Sequence, residues 1–235
     1  MRALSLGSAG VTELSDRTGL PKSTVSRLLS SLESERAVQQ NDAGAYELGP
    51  GIDALESSSR IDRNAIEVAR PHMVELMELT GEAVGLNRLE GDVVTPILQI
   101  DDPESDVLVR DWTGVPSVLH AVPAGLVLLA FGSRSHQNRY LDTDLEASTK
   151  ATMVGPDLLR ARFRSIREDG FCWVFGELSD EINSVAAPIA DSADRYTMAL
   201  HVHGPAYRFP GDADLEQLGD SVAATAERIE AQLTS

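Results

Sequence analysis

The chain has 235 residues, enough for one large or two modest domains, and its net charge of −17 opposes a uniform attraction to nucleic acid. The charge is uneven, because residues 1–50 carry five basic and six acidic side chains whereas residues 51–235 carry fifteen and thirty-one. The single cysteine, Cys172, excludes an intrachain disulfide and a cysteine-rich zinc site. No apolar run reaches membrane-spanning length and no signal-peptide pattern precedes residue 20, so we expect a cytoplasmic protein without a membrane partner.

Residues 11–32 predict two short helices joined by a tight turn. Gly19 allows a backbone conformation that other residues resist, and we expect Pro21 to open the second helix, where its missing N–H costs nothing. Apolar side chains then recur with helical spacing and predict a buried stripe of Val25, Leu28, Leu29 and Leu32. Two helices around a glycine turn predict a helix-turn-helix.

The opposite face of the second predicted helix is polar and cationic, with Lys22, Ser23, Ser26, Arg27 and Ser30. Short hydroxyl and cationic side chains suit a helix in the major groove, because they reach phosphates and base edges. We therefore expect DNA contacts in this segment, at Pro21, Lys22, Ser23, Thr24, Ser26 and Arg27. The alternative is an ordinary helical hairpin with a solvated outer face.

A β-hairpin is predicted directly after these helices. Val38 and Gln40 stand against Tyr46 and Leu48 around a turn that contains Gly44, and a hairpin in this place makes the module a winged helix-turn-helix. With the segments TGLPKSTVSRLLSSLE and YELGP, the chain resembles the IclR family of transcriptional regulators. In that family a longer first helix stands where this chain has residues 1–6.

Residues beyond 49 predict a linker and then a second domain. The segment 50–63 is expected to be a partly helical linker, and an amphipathic helix should follow and end at Thr80 and Gly81. Strands are predicted at 83–89, 92–100, 107–110, 171–176, 183–190 and 196–203, and helices within 119–131, at 156–169 and near 215–233. We expect Leu158, Leu159, Phe163 and Ile166 of the 156–169 helix to point inward and its four arginines outward. Strands with short connections between helices indicate an α+β fold with a mainly antiparallel sheet flanked by helices.

The second half also resembles the IclR family, in the segments ARPHMVELMELTGE, LHAVPAGLVLLAF, IREDGFCWVFGE, SVAAPIADS and ALHVHGP. The resemblance implies a GAF-like effector-binding domain. We therefore expect three parts: a winged helix-turn-helix DNA-binding domain at 1–49, a linker helix at 50–63 and the GAF-like domain at 64–235.

Two histidines mark the strand predicted at 196–203. Alternation places Thr197, Ala199, His201 and His203 on one face and apolar side chains on the other, so the histidine face must meet water, a pocket or an interface. A pocket for a small organic ligand, a hydrogen-bonded sheet edge and metal ligation by the His-x-His pair are the three alternatives. An anionic ligand held by these histidines should bind more tightly as pH falls through about 6.5.

The resemblance places an effector pocket on one face of the sheet, below the small-residue entry to the helix that follows residue 122. It implies effector contacts at Ala124, Gly125, Val174, Ser184, His201 and His203. In the family's small-carboxylate binders a polar or acidic residue commonly stands at the position of Val174 and small hydroxyls at those of the histidines. The pocket location carries over from the resemblance, and the ligand does not.

An enzyme is the rival class, but no nucleophile elbow, P-loop, dinucleotide fingerprint or metalloprotease motif is present. We expect no catalytic residue, no cofactor and no resident metal. A winged helix used only for protein contacts is a further alternative. Our hypothesis from the sequence is a ligand-responsive transcription factor that binds a double-stranded, palindrome-like DNA operator as a homodimer or homotetramer and responds to a small organic effector.

Overall fold

The computed structural model describes residues 3–4, 7–41, 43–103, 110–191, 193 and 195–234, with the backbone alone at 53–61. The chain divides into two compact units, Met1–Arg63 and Asn64–Ser235. The strand predicted at 107–110 falls almost wholly outside the described residues. Among the described helices, none is long and apolar enough to cross a membrane.

The first unit contains the two predicted short helices, α1 (Val11–Thr18) and α2 (Lys22–Ser34). Gly19 ends α1 with φ of 70°, in the left-handed conformation, and its N–H donates to the Ser15 carbonyl. Pro21 does not open the second helix as predicted. It lies one position earlier, at the N-cap with ψ of 142°, and its carbonyl accepts from the N–H groups of Thr24 and Val25.

The core of the first unit is small and leaves part of the predicted stripe uncovered. Val25 and Leu29 are buried and pack with a cluster that also contains Leu14 and Val38. Leu28, predicted to be buried, is 48% exposed, and Leu32 is half-buried. Among the described residues of this unit, only Val25 and Leu29 of α2 are fully covered, and the flank that carries Leu28 faces solvent.

The predicted wing is a two-stranded antiparallel hairpin. Strand β1 (Val38–Gln40) pairs with β2 (Tyr46–Leu48) in the register Val38 to Leu48. Ala9 adds an antiparallel bridge to Tyr46 that the sequence did not predict, with backbone distances of 2.9 and 3.0 Å in the two directions. This bridge ties the start of the chain to the wing.

Helix α3 runs without interruption from Pro50 to Thr80, so the predicted linker forms the first part of one long helix. The later part buries Ala65, Ala69, Met73 and Leu76, which lie on one face. Gly81 follows with φ of 64°, and its N–H donates to the Met77 carbonyl. The helix therefore ends where the sequence predicted.

The second unit is built on a six-stranded antiparallel sheet in the order β5-β4-β3-β8-β7-β6. Its strands are β3 (Ala83–Glu90), β4 (Val93–Ile100), β5 (Ser117–Val118), β6 (Cys172–Phe175), β7 (Ile182–Ala190) and β8 (Tyr196–Pro205). Its other helices are α4 (Pro123–Phe131), α5 (Arg134–Leu141), α6 (Pro156–Asp169) and α7 (Leu215–Leu233). A 3₁₀ turn (Leu119–Ala121) precedes α4, and α5 was not predicted.

Each face of the sheet carries its own apolar core. On one face Leu200 and Val202 of β8 pack with side chains of α3 and α7, such as Met73 and Val222. On the other face Ala199 packs in a cluster with side chains of α4 and α6, such as Leu128. The predicted alternation is therefore confirmed from Met198 to His203. Strict alternation would put Tyr196 on the face of Met198, but it packs in the other core, with its ring 4.8 Å from that of Phe131. The fold is α+β with helices on both faces of an antiparallel sheet, as predicted.

Helix α6 departs from its predicted pattern in two ways. Leu158 was expected to point inward but is 61% exposed, because Leu159, Phe163 and Ile166 already fill the face that meets the sheet. Not all of its arginines point outward. The Arg162 guanidinium forms a two-point ion pair with Glu177, at 2.8 Å for each contact, and Arg167 donates to the Ala130 carbonyl.

Candidate DNA-binding surface and effector cavity

The outer face of α2 presents the predicted DNA-binding side chains to solvent. Lys22, Ser23, Ser26 and Arg27 are exposed, as is Pro21, and Thr24 is partly covered. No hydrogen bond or ion pair to another described residue engages the side chain of Lys22 or Arg27. The two cations therefore remain available to a partner.

Another nearby cation, Arg17, already has partners in the protein. Arg17 of α1 donates to the carbonyls of Ala3 at 2.8 Å and Gly7 at 3.2 Å, and it pairs with Glu13. These contacts tie α1 to the residues that precede it. The turn from α1 into α2 is held by the Ser15 hydroxyl, which donates to the Leu20 carbonyl at 2.6 Å.

A cavity of about 80 Å³ lies in the second unit, on the histidine face of the sheet. Both polar and apolar side chains line it. The described lining residues are Asn87, Val94, Pro96, Trp112, Ser117, Val122, Pro123, Ala124, Leu178, Ser179, Ile182, Ser184, His201 and His203.

Four of the six predicted effector residues line this cavity: Ala124, Ser184, His201 and His203. The other two, Val174 and Gly125, do not. Val174 is only 2% exposed and packs in the apolar core beside Ser184, its partner across β6 and β7.

Gly125 has a packing role that the sequence left open. A Cβ at this position would lie 2.3 Å from the carbonyl oxygen of Leu119, which is far inside van der Waals contact. Glycine is therefore needed for the 3₁₀ turn to pack against the start of α4. That close approach brings Ala124 to the cavity wall.

Asn87 and Trp112 are cavity residues that the sequence reasoning missed. Asn87 is 3% exposed on β3, where it pairs with Ala199 of β8. An asparagine in the middle of a buried strand was the available signal. Trp112 lies before β5 in a segment without periodicity, so only the tertiary structure brings it to the cavity.

Hydrogen bonds fix the state of His201. The amide nitrogen of Asn87 donates to the Ala199 carbonyl at 3.1 Å and lies 2.6 Å from Nδ1 of His201. Since that nitrogen is the donor, Nδ1 accepts and the imidazole proton is on Nε2. Gly85, opposite on β3, lies under the ring, because a Cβ there would come 2.1 Å from Cε1 of His201.

His203 is the unusual member of the pair. It is 3% exposed, and neither ring nitrogen has a hydrogen-bond partner in the part of the chain that the structure describes. Its ring stacks on that of His201, with centroids 4.8 Å apart and an angle of 28° between the planes. A buried imidazole without partners costs stability, so its nitrogens are available to a bound molecule.

Burial lowers the pKa of both histidines. The pKa of His203 falls to about 4, and burial together with the neighbouring His203 lowers the pKa of His201 well below its ordinary value. The expectation that the pair titrates near pH 6.5 is therefore wrong. Both imidazoles are neutral at physiological pH.

Cys172 and His120, which could in principle take part in metal or redox chemistry, are buried within the fold. Among the described residues, no group of three or more His, Cys, Asp or Glu side chains could hold a metal ion. Cys172 is buried, and burial raises its thiol pKa to about 11, so the thiolate is scarce at neutral pH. His120 is buried, with Nδ1 2.8 Å from the Tyr140 hydroxyl and Nε2 3.0 Å from the Glu146 carbonyl.

Comparison with known families matches both units. The model for the bacterial transcriptional regulator IclR C-terminal domain matches residues 60–231, and that for the IclR helix-turn-helix domain matches residues 1–42. Together the two matches contain α1, α2 and the whole sheet of the second unit.

Individual relatives agree with this result. The chain is 32% identical over 224 residues to the HTH-type transcriptional regulator BhcR of Paracoccus denitrificans, covering 93% of this chain and 78% of the relative. It is 30% identical to the acetate operon repressor of Salmonella typhimurium, over 97% of this chain and 84% of the relative.

A solved structure shares the fold. The putative IclR regulator of Silicibacter sp. TM1040 is 25% identical, with a TM-score of 0.73 over 97% of this chain and 90% of its own. The family matches, the relatives and the two units described above lead to one conclusion. The chain belongs to the IclR family of transcriptional regulators.

Proposed function

We propose that this chain binds a palindrome-like DNA operator through α2, that a small organic effector in the second-unit cavity modulates this binding, and that it acts in the cytoplasm without catalysing a reaction. One observation carries the effector part. The buried His203 ring lines the cavity, and neither of its nitrogens has a hydrogen-bond partner among the described residues. A group that costs stability in this way is retained because something other than folding requires it.

The DNA part of the proposal rests on the exposed side chains of α2. Arg27 and Ser26 lie on the solvent face and reach base edges or phosphates when the helix enters the major groove. Lys22, Ser23 and Thr24 stand at the start of α2, where phosphate contacts position a recognition helix, and Pro21 sets that start.

Related proteins support an organic effector. An IclR homologue of Microbacterium hydrocarbonoxydans, 21% identical with a TM-score of 0.67, is described as complexed with 4-hydroxybenzoate. At this identity the likeness supports a shared fold, and the ligand is that protein's own. For this chain we assign the effector contacts to Ala124, Ser184, His201 and His203, which line one cavity.

Two copies of the chain should act together on the operator. One recognition helix makes too few base contacts for tight and specific binding, so a homodimer or a homotetramer must present two helices to related half-sites. Light scattering with and without operator DNA measures the assembly. A monomer in both conditions would contradict this part of the proposal.

A gel shift tests the function directly. The purified chain should bind the DNA upstream of its own gene, and Ser26→Ala and Arg27→Ala should each weaken that binding at fixed salt. A thermal-shift screen of small organic compounds should find ligands that raise the melting temperature, since they bind the native state only. At least one of them should change operator affinity. Absence of DNA binding would instead favour a winged helix used for protein contacts.

A further inference from the structure

We infer that the effector is a small uncharged molecule that carries a hydrogen-bond donor and an acceptor, such as a primary amide, rather than a carboxylate anion. This inference rests on the proposed function, because it names the chemical class of the effector for the same cavity. It differs from what the carboxylate-binding members of the family lead one to expect.

No arginine or lysine is among the described residues that line the cavity, and the two histidines are the only titratable ones. Burial lowers the pKa of each histidine, so neither is a cation near neutral pH. The residues facing them across the sheet, Gly85, Ala83 and Ser184, are uncharged. A carboxylate in this cavity would therefore lose its hydration without gaining a counter-charge.

The neutral His203 ring requires a partner with two kinds of group. A neutral imidazole has one N–H donor and one nitrogen acceptor, and neither nitrogen of His203 has a partner among the residues that the structure describes. A carboxylate carries acceptors only, so it would leave the acceptor nitrogen of His203 unsatisfied. An amide or a hydroxyl group can both donate and accept. Satisfying His203 completely therefore favours an uncharged ligand.

The start of α4 offers a place for a carbonyl oxygen. The first N–H groups of a helix have no partner within the helix, and Ala124, the second residue of α4, lines the cavity. The helix dipole contributes the equivalent of roughly half a positive charge at this end. That partial charge stabilises the oxygen of an amide and would also favour an anion, so it is the neutral walls and the His203 ring that distinguish the two classes of ligand.

The cavity suits a small molecule. About 80 Å³ is the space of roughly five to eight water molecules. Apolar side chains, among them Trp112, Val94, Pro96 and Ile182, also line the cavity, so the effector should carry an apolar group beside its polar one. A single ring or a short branched chain with one polar end fits both the volume and the mixed lining.

Benzamide and benzoate form a matched pair of probes, because they share a ring and a size and differ in charge. We expect benzamide to bind the full-length chain at least tenfold more tightly, with a dissociation constant on the order of millimolar. Its affinity should not change between about pH 6 and pH 8, because neither histidine titrates there. Ligand-observed NMR and calorimetry measure both affinities.

A histidine variant links binding to the cavity. His203→Leu removes the donor and the acceptor while it keeps an apolar side chain in the core, and it should reduce benzamide affinity at least tenfold. His136→Leu is the matched control, because His136 lies on α5 and does not line the cavity. It should leave benzamide affinity unchanged. A folded His203→Leu protein with full benzamide affinity would overturn the inference.

Two further results would also overturn it. One is tighter binding of benzoate than of benzamide, with an affinity for benzoate that rises as pH falls. The other is no detectable binding of benzamide at concentrations about tenfold above its expected millimolar dissociation constant. Neither result decides the proposed function, whose effector part fails if no ligand of the cavity changes operator binding in the gel shift. An anionic ligand that does change it would leave the proposed function standing and remove this inference alone.

Discussion

The two candidate sites hold their polar side chains in opposite ways. On α2 the polar groups of Lys22, Ser26 and Arg27 are exposed, so water satisfies them when no partner is bound. In the cavity the His203 ring is buried with both nitrogens unpartnered. The first arrangement costs folding almost nothing, whereas the second lowers stability by about 1–3 kcal/mol.

The difference shows what each site can recognise. An exposed face tolerates substitution of its side chains. It contacts DNA through charge and hydrogen bonds at an interface that retains ordered water. A buried ring selects ligands that form hydrogen bonds with its nitrogens. An unsatisfied polar group costs far more free energy inside the protein than at its surface. Four predictions test this contrast, in order of expected size.

The largest effect is expected where a buried polar group does have a charged partner. Glu177→Ala leaves the Arg162 guanidinium, only 16% exposed, without its two-point ion pair. We expect the free energy of unfolding to fall by about 3 kcal/mol in urea denaturation followed by circular dichroism. Glu177→Gln keeps an acceptor and should lose less. A loss below about 1 kcal/mol for Glu177→Ala would mean that solvent replaces the partner.

Acid should weaken the second unit through the unpartnered ring. The pKa of His203 is about 4 in the folded protein and about 6.5 in the unfolded chain, so the unfolded state binds more protons between these values. Stability is then lost as pH falls from about 6.5 toward 4. Between pH 7 and pH 4.5 the loss from His203 should be about 2–3 kcal/mol, and His201 adds to it in the same direction.

The matched variant for the pH series is His203→Leu, which removes one of the titrating groups. Urea denaturation at each pH should give a shallower fall in unfolding free energy for this variant than for the parent chain. Equal slopes would show that His203 is solvated enough to titrate near its ordinary pKa, and the contrast between the two sites would then be lost.

Arg27→Ala should affect binding without affecting folding. If Arg27 contacts a base, operator affinity should fall by about 1–3 kcal/mol and the preference at one operator position should relax. The free energy of unfolding should change by less than about 0.5 kcal/mol, because the side chain is exposed. Fluorescence anisotropy at fixed salt measures the first quantity.

The control for Arg27 is Arg164→Ala, which removes an exposed arginine from α6 in the second unit. It changes net charge by the same amount and should leave operator affinity unchanged. Equal losses for the two variants would indicate a general charge effect instead of a contact made by α2.

The smallest effect is a gain in stability. His203→Leu should raise the free energy of unfolding at pH 7 by about 1 kcal/mol, because an apolar side chain replaces a buried group without hydrogen bonds. Thermal unfolding of the two proteins provides the measurement. A clear loss of stability would show that the packing of the His203 ring contributes more to stability than its unpartnered nitrogens cost.

The sequence by itself determined the elements whose side chains alternate regularly and the helix ends that are marked by a glycine. The alternation along β8 places His201 and His203 on one face, and this face is the one that lines the cavity. Gly19 and Gly81 follow α1 and α3 in the left-handed conformation at the predicted positions. These features depend on neighbours in the chain, which the sequence displays directly.

Only the tertiary structure decided which predicted residues meet and in what state. Val174 lies in the apolar core, Leu28 and Leu158 are exposed, and Asn87 joins the histidines from a strand more than a hundred residues earlier. The lowered pKa values of the histidines follow from burial, which no local pattern reveals. Contacts between distant segments set burial, pairing and charge, and for that physical reason they cannot be determined from sequence periodicity alone.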